Sequence, residues 1–193
     1  MTSLEITTIS SPASTITLPA ERLEQLRMIA ARRGVTLVGL LESVIAEAID
    51  YDEIPDTLPT FDVHAHDDHV VIDMRGWVLP MLRREQAIMV AHGLEAAAGK
   101  TPLVLDTGVM MPVGRVVGFA IREGDALHEL TFGRHGRGVS IGFRNKITGE
   151  ATKTALSPSI AVDLARIIRN QAATMIVRPS DLEQELEAGA VHS

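Results

Sequence analysis

The chain has 193 residues and a formal net charge of −7, from 18 Lys and Arg against 25 Asp and Glu. Its 46% hydrophobic and 22% charged residues describe a globular chain, with room for a small domain of about 50 residues beside one of about 120. The lack of cysteine excludes disulfide staples, thiolate zinc sites and cysteine nucleophiles, and aromatics at 3% weigh against single-strand binding on stacked aromatic platforms.

The first twelve residues contain no basic start followed by an apolar run, and no apolar stretch reaches membrane-spanning length. The expectation is a cytoplasmic protein with no membrane partner, beginning with a flexible arm over residues 1–12. Ser14-Thr15-Ile16-Thr17-Leu18 alternates and is rich in β-branched residues, which predicts a short strand. Pro19 ends that strand and suits the first turn of a helix, where Glu21 complements the helix dipole. Leu23, Leu26, Ile29 and Ala30 fall on one face of this helix, from Ala20 to Arg33, and Gly34 signals its end. Thr36 is a natural N-cap for the next helix, Thr36 to Ile49. There Leu37, Leu40, Leu41, Val44, Ile45, Ala48 and Ile49 cover more surface than one short partner helix hides.

An unpartnered strand followed by two helices with surplus apolar surface is unstable alone, but closes if two copies pair strands and interlock helices. Residues 13–50 thereby resemble the ribbon-helix-helix family, the MetJ-, Arc- and CopG-like β-ribbon DNA-binding proteins. The resemblance rests on Ile16-Thr17-Leu18-Pro19, the helix Ala20 to Arg33, Gly34, and the apolar helix from Thr36 to Ile49, about a fifth of the chain. It implies an intertwined homodimer, open to higher assembly, whose antiparallel ribbon enters the major groove of double-stranded DNA. Alternation then turns Ala13, Thr15 and Thr17 to the bases and Ile16 and Leu18 inward. The first turn of the second helix, at Val35, Thr36 and Leu37, implies a phosphate contact through backbone N–H groups, with Arg32 and Arg33 beside it. The function implied is transcriptional regulation, as a repressor, with no catalytic residue, no cofactor and no metal. The alternative is an antitoxin-like or other interaction protein that uses this unit mainly to dimerise. Charge is lean for DNA binding: Arg22, Arg27, Arg32 and Arg33 only offset the glutamates of this segment.

Residues 51–60 are an acidic linker in which Pro55 and Pro59 oppose continued helix. Beyond it, residues 61–178 read as an α+β domain built on a duplicated β-hairpin–helix unit, with repeats 61–98 and 130–172. Phe61 to Arg75 aligns without gaps on Leu130 to Arg144, matching Val63 with Phe132, His66 with His135, Val70 with Val139 and Ile72 with Ile141. Leu82 to Ala98 aligns on Leu156 to Ala172, and Lys146 to Glu150 lengthens the second copy. Leu103 to Leu105 and Val113 to Ile121 suggest further strands, with Asp106-Thr107-Gly108 and Glu123-Gly124-Asp125 as turns. An effector or a protein partner is expected at this domain. Residues 179–193 form an acidic tail.

Three chemical patterns in the second region have plainer explanations. His64, His66 and His69 could ligate a transition metal, but read more simply as surface histidines of a hairpin. Leu103 to Gly108 is similar to the active-site signature of retroviral-type aspartic proteases; a strand-ending Asp-x-Gly turn explains the same residues. Arg134, Arg137, Arg144, Lys146 and Lys153 make the most positive segment, either a solvated face or an accessory phosphate-binding surface. Trp77, the only tryptophan, reads as a core or interface anchor.

Overall fold

In a computed structural model, residues 7–9, 16–74, 77–104, 107–123, 125–136 and 138–175 are described. They contain four helices and several mainly antiparallel sheets, so the class is α+β. Contacts divide the chain into two units, one from Ser11–Asp56 and the other from Met1–Ser10 with Thr57–Ser193.

The smaller unit holds α1 (Ala20–Arg33) and α2 (Leu37–Asp50). Gly34, at φ +69°, ends α1 in a Schellman turn: its N–H donates to the Ala31 carbonyl and that of Val35 to the Ala30 carbonyl. Glycine is favoured there because a side chain is strained in the left-handed region. Thr36 opens α2 by accepting the Gly39 N–H at 3.0 Å. Both helices fall where apolar spacing and end signals put them, within a residue at each end of α2.

The larger unit contains three sheets. Strands β2 (Phe61–His66), β3 (His69–Met74) and β4 (Trp77–Val78) form an antiparallel sheet in that order. Then come α3 (Arg84–Ala98) and the short hairpin of β5 (Pro102–Val104) and β6 (Val109–Met110). The next four strands are β7 (Val116–Glu123), β8 (Ala126–His135), β9 (Gly138–Asn145) and β10 (Ala151–Leu156). With β1 (Thr7–Ile9) they form a sheet ordered β1-β10-β9-β8-β7, in which only the β1–β10 pairing is parallel. The expected N-terminal arm thus contains a three-residue strand. α4 (Pro158–Thr174) closes the described chain, capped by Ser157, which accepts the Ile160 N–H.

The core of the larger unit lies where α3 and α4 pack together and against the sheets. α3 covers β8 and β9, whereas α4 covers β2 and β3. Val70, Ile72, Met74, Leu94, Leu130, Phe132, Ile141, Leu164 and Ile168 are fully or almost fully buried there, each contributing about 1.5–3 kcal/mol of apolar burial. Gly93 is matched to one of them: a Cβ on it would stand 2.7 Å from Phe132 Cδ2, so the aromatic ring lies directly on the helix backbone. Glu95 and Arg169 join α3 to α4 through two guanidinium-to-carboxylate hydrogen bonds, of 2.7 and 3.3 Å.

The two hairpins share one register. His66 faces His69 and Val63 faces Ile72 in the first; His135 faces Gly138 and Phe132 faces Ile141 in the second. Each hairpin is followed by a third strand segment that returns alongside it, closing on the bridge Val70–Leu82 in one case and the pair Val139–Leu156 in the other.

Candidate nucleic-acid interface

The residues expected to read DNA are only partly within the described chain. Ala13 and Thr15 lie outside the described residues. Thr17 lies in the stretch 16–19, which carries neither helix nor strand within a single chain and is exposed throughout. Ile16 is 77% and Leu18 41% exposed, so neither apolar side chain is buried among the described residues of its own chain. Pro19 anchors the stretch to α1, its carbonyl accepting from the N–H groups of Arg22 and Leu23, both at 3.0 Å.

Arg32 and Arg33 occupy the last turn of α1 and are exposed, as are Val35 and Thr36; Leu37 is half-buried. Gly34 and Thr36 reverse the chain so tightly that this basic helix end and the start of α2 adjoin in sequence. Of the first N–H groups of α2, that of Gly39 is taken by the Thr36 hydroxyl and that of Leu40 by the Thr36 carbonyl. Those of Leu37 and Val38 belong to the set an α-helix leaves without intrahelical partners, the set that receives phosphates at helix N-termini. Arg33 is not wholly uncommitted, because its guanidinium stands 3.9 Å from Glu47, with both side chains more than half exposed. Such a pair is worth at most about 1 kcal/mol and yields readily to a competing anion.

Of the described residues 16–56 only Ala30 and Leu40 are buried. Val38, Leu41 and Ile45 follow one another at three- and four-residue spacing on α2 and are 63%, 43% and 53% exposed, with Val44 and, on α1, Met28 and Ile29 exposed as well. Two buried residues do not make a core.

The other chemical patterns resolve less favourably. His64 and His66 share the exposed face of β2, with His64 Nδ1 3.4 Å from Asp62 and His69 Nδ1 2.7 Å from Asp68. Among the described residues no group of three or more His, Cys, Asp or Glu is placed to hold a metal ion. Leu105 and Asp106 lie outside the described residues; Thr107 donates to the Val104 carbonyl and Gly108 has φ +65°, the geometry of a turn. The side chain of Trp77 is likewise outside them. Arg134 belongs to the interior and not to a phosphate surface: it is half-buried and its guanidinium donates to the Met111 carbonyl at 2.7 Å. Among the described residues no helix is long and apolar enough to cross a membrane.

No family model, curated protein or solved structure matches the chain.

Proposed function

We propose that the chain is a sequence-specific double-stranded DNA-binding transcriptional regulator, a repressor, acting as a homodimer through a β-ribbon in the major groove. The observation that carries this reading is the uncovered apolar surface of α2, next to an exposed, non-helical segment ending at Pro19. A second copy supplies what is missing: its α1 and α2 cover Val38, Leu41 and Ile45, and its residues 14–18 pair with their own counterparts. Pairing buries Ile16 and Leu18 and turns Ala13, Thr15 and Thr17 outward to base edges, where threonine can donate, accept, or touch a thymine methyl. The Val35 N–H is taken by the Ala30 carbonyl, so the phosphate contact falls to the N–H groups of Thr36 and Leu37, which with Arg32 and Arg33 fix the register on the phosphates.

Replacing Thr17 by alanine tests the reading. Each dimer loses two base contacts of about 1 kcal/mol apiece, so selected operator fragments bind roughly thirtyfold more weakly. Competition against random-sequence DNA keeps its wild-type strength, because phosphate contacts supply non-specific binding. Equal weakening on both kinds of DNA would refute the assignment of Thr17 to the bases. A second reading, an antitoxin-like interaction protein whose ribbon-helix-helix unit mainly dimerises, draws support from Arg33 being paired with Glu47. A stoichiometric protein partner on purification, with no selected DNA, would favour it.

For the larger unit we propose that β2–β3–β4–α3 and β8–β9–β10–α4 are copies of one duplicated unit. Three correspondences support it. The hairpin registers coincide, as do the closing contacts Val70–Leu82 and Val139–Leu156. Buried Ala87, Val90, Ala91 and Leu94 of α3 align with buried Ala161, Leu164, Ala165 and Ile168 of α4. Each helix covers the other copy's hairpin, and Glu95 pairs with Arg169, the residue at its own position in the other copy. A residue that meets its counterpart lies on a pseudo-twofold axis, the isologous arrangement of a symmetric dimer.

A further inference from the structure

We infer that the outward face of the β7–β10 sheet is a second contact surface for duplex DNA, gripping phosphates without reading sequence. The inference rests on the DNA-binding reading above. Strand alternation fixes the face. Ile121, Leu130, Phe132, Val139, Ile141, Thr154 and Leu156 are buried on the inner side, which puts Arg122, Glu129, Arg144 and Lys153 on the other. Pairing sets Glu129 beside Arg144, and Lys146 beyond the end of β9 folds back to bond Glu129 at 2.5 Å. Among the described residues the face therefore carries four cations against one carboxylate, with acidic Asp125 and Glu150 confined to turns at its margin. In a chain of net charge −7 such a concentration departs from the average surface by sign as well as size.

The rest of the face is low. Gly118, Thr131 and Gly142 are neighbours across β7, β8 and β9, with Gly133, Ser140 and Ala155 in the next row. Glycine at 118 and 142 is enforced by close neighbours: an added Cβ would stand 2.6 Å from the Leu130 carbonyl oxygen or 2.5 Å from Thr131 Oγ1. Long cationic side chains thus rise from a flat floor, spread over strands β7, β9 and β10 instead of converging on one point. A single small anion needs convergence; a polymer with charge repeated along its length needs spread. Among the positive residues singled out by sequence, Arg134 drops out because it serves Met111 and Arg137 lies outside the described residues, while Arg122, on an earlier strand, joins Arg144, Lys146 and Lys153.

The test is the salt dependence of binding by the full chain to a selected duplex, measured for wild type, for Arg122→Gln/Lys153→Gln, and for the same pair with Arg144→Gln. The double variant changes only exposed side chains, so it remains informative if the triple variant folds poorly. Each lost phosphate contact reduces the steepness of log K against log salt by about 0.9. The double variant removes two contacts from each chain of the dimer, so the expected result is a slope shallower by about 3.6, with the preference for operator over random DNA intact. An unchanged slope with intact operator binding would overturn the sheet contact alone and leave the ribbon reading standing. A wild type that binds no duplex overturns both. Loss of binding to phosphatidylserine vesicles, with the DNA slope unmoved, would reassign the face to an anionic membrane and also overturn the inference.

Discussion

A chain carrying Leu41→Glu and Ile45→Glu should sediment as a monomer and bind duplex DNA at least about a thousandfold more weakly than wild type. Both side chains are about half exposed in the single chain, so the substitutions leave the helix itself undisturbed; glutamate is a good helix former. In the proposed dimer the same positions are covered by the partner, and two carboxylates per chain put four uncompensated charges into the interface. Each buried unpaired charge costs about 3–5 kcal/mol. Even if most of it is relieved by local opening, the remainder exceeds the ~4 kcal/mol that corresponds to a thousandfold. The larger unit supplies an internal control, since its core is drawn from other residues: its thermal unfolding should be unmoved. Sedimentation equilibrium and fluorescence anisotropy decide the matter, and a variant that remains dimeric with wild-type affinity would contradict the proposal.

The second large effect concerns the α3–α4 contact. Glu95→Arg places two guanidinium groups where a bonded ion pair stood, and Arg169→Glu places two carboxylates there. The glutamate side chain is 18% exposed and the arginine 38%, so each reversal should cost about 2–3 kcal/mol, with allowance for screening on the arginine side. That lowers the melting temperature of the larger unit by several degrees. If the two positions are equivalent by duplication, the double reversal restores the pair in nearly the same surroundings, and most of the lost stability returns. Thermal melts of the four proteins form the complete cycle. A double reversal no more stable than the sum of the single losses would mean that the two environments differ, which counts against the pseudo-twofold axis.

The helices of the smaller unit were legible because their ends are chemically marked. Pro19, Gly34 and Thr36 each do one local thing, and the structure places each at the helix end it marks. The hairpin at Asp67-Asp68 was legible for the same reason, with Asp67 at φ +51° tolerating the turn. The alignment of the two hairpin–helix segments also needed no long-range knowledge, since apolar spacing repeats along the chain. What escaped is long-range. Thr7–Ile9 pairs with Thr152–Thr154, and three residues carry too little pattern to announce a strand that only a distant partner stabilises. The inward turn of Arg134 to the Met111 carbonyl is likewise invisible in a run of basic residues, because charge patterning does not say which guanidinium the fold consumes. The Glu95–Arg169 pair could have been found: the same alignment that matches Ala91 with Ala165 matches these two, and opposite charges at equivalent positions are the signal.

The reading of residues 13–50 depends on two chains laying their N-terminal segments side by side. The chain contains no cysteine, so a single Thr17→Cys substitution gives one site for a nitroxide label per chain. In an antiparallel ribbon, backbones of facing residues lie about 4.5–5.5 Å apart, which brings the two labels close enough for dipolar broadening of the resonance spectrum. The account predicts a broadened spectrum that sharpens when labelled protein is exchanged with an excess of unlabelled protein. A spectrum already sharp before dilution, at concentrations where the labelled protein sediments as a dimer, would contradict it.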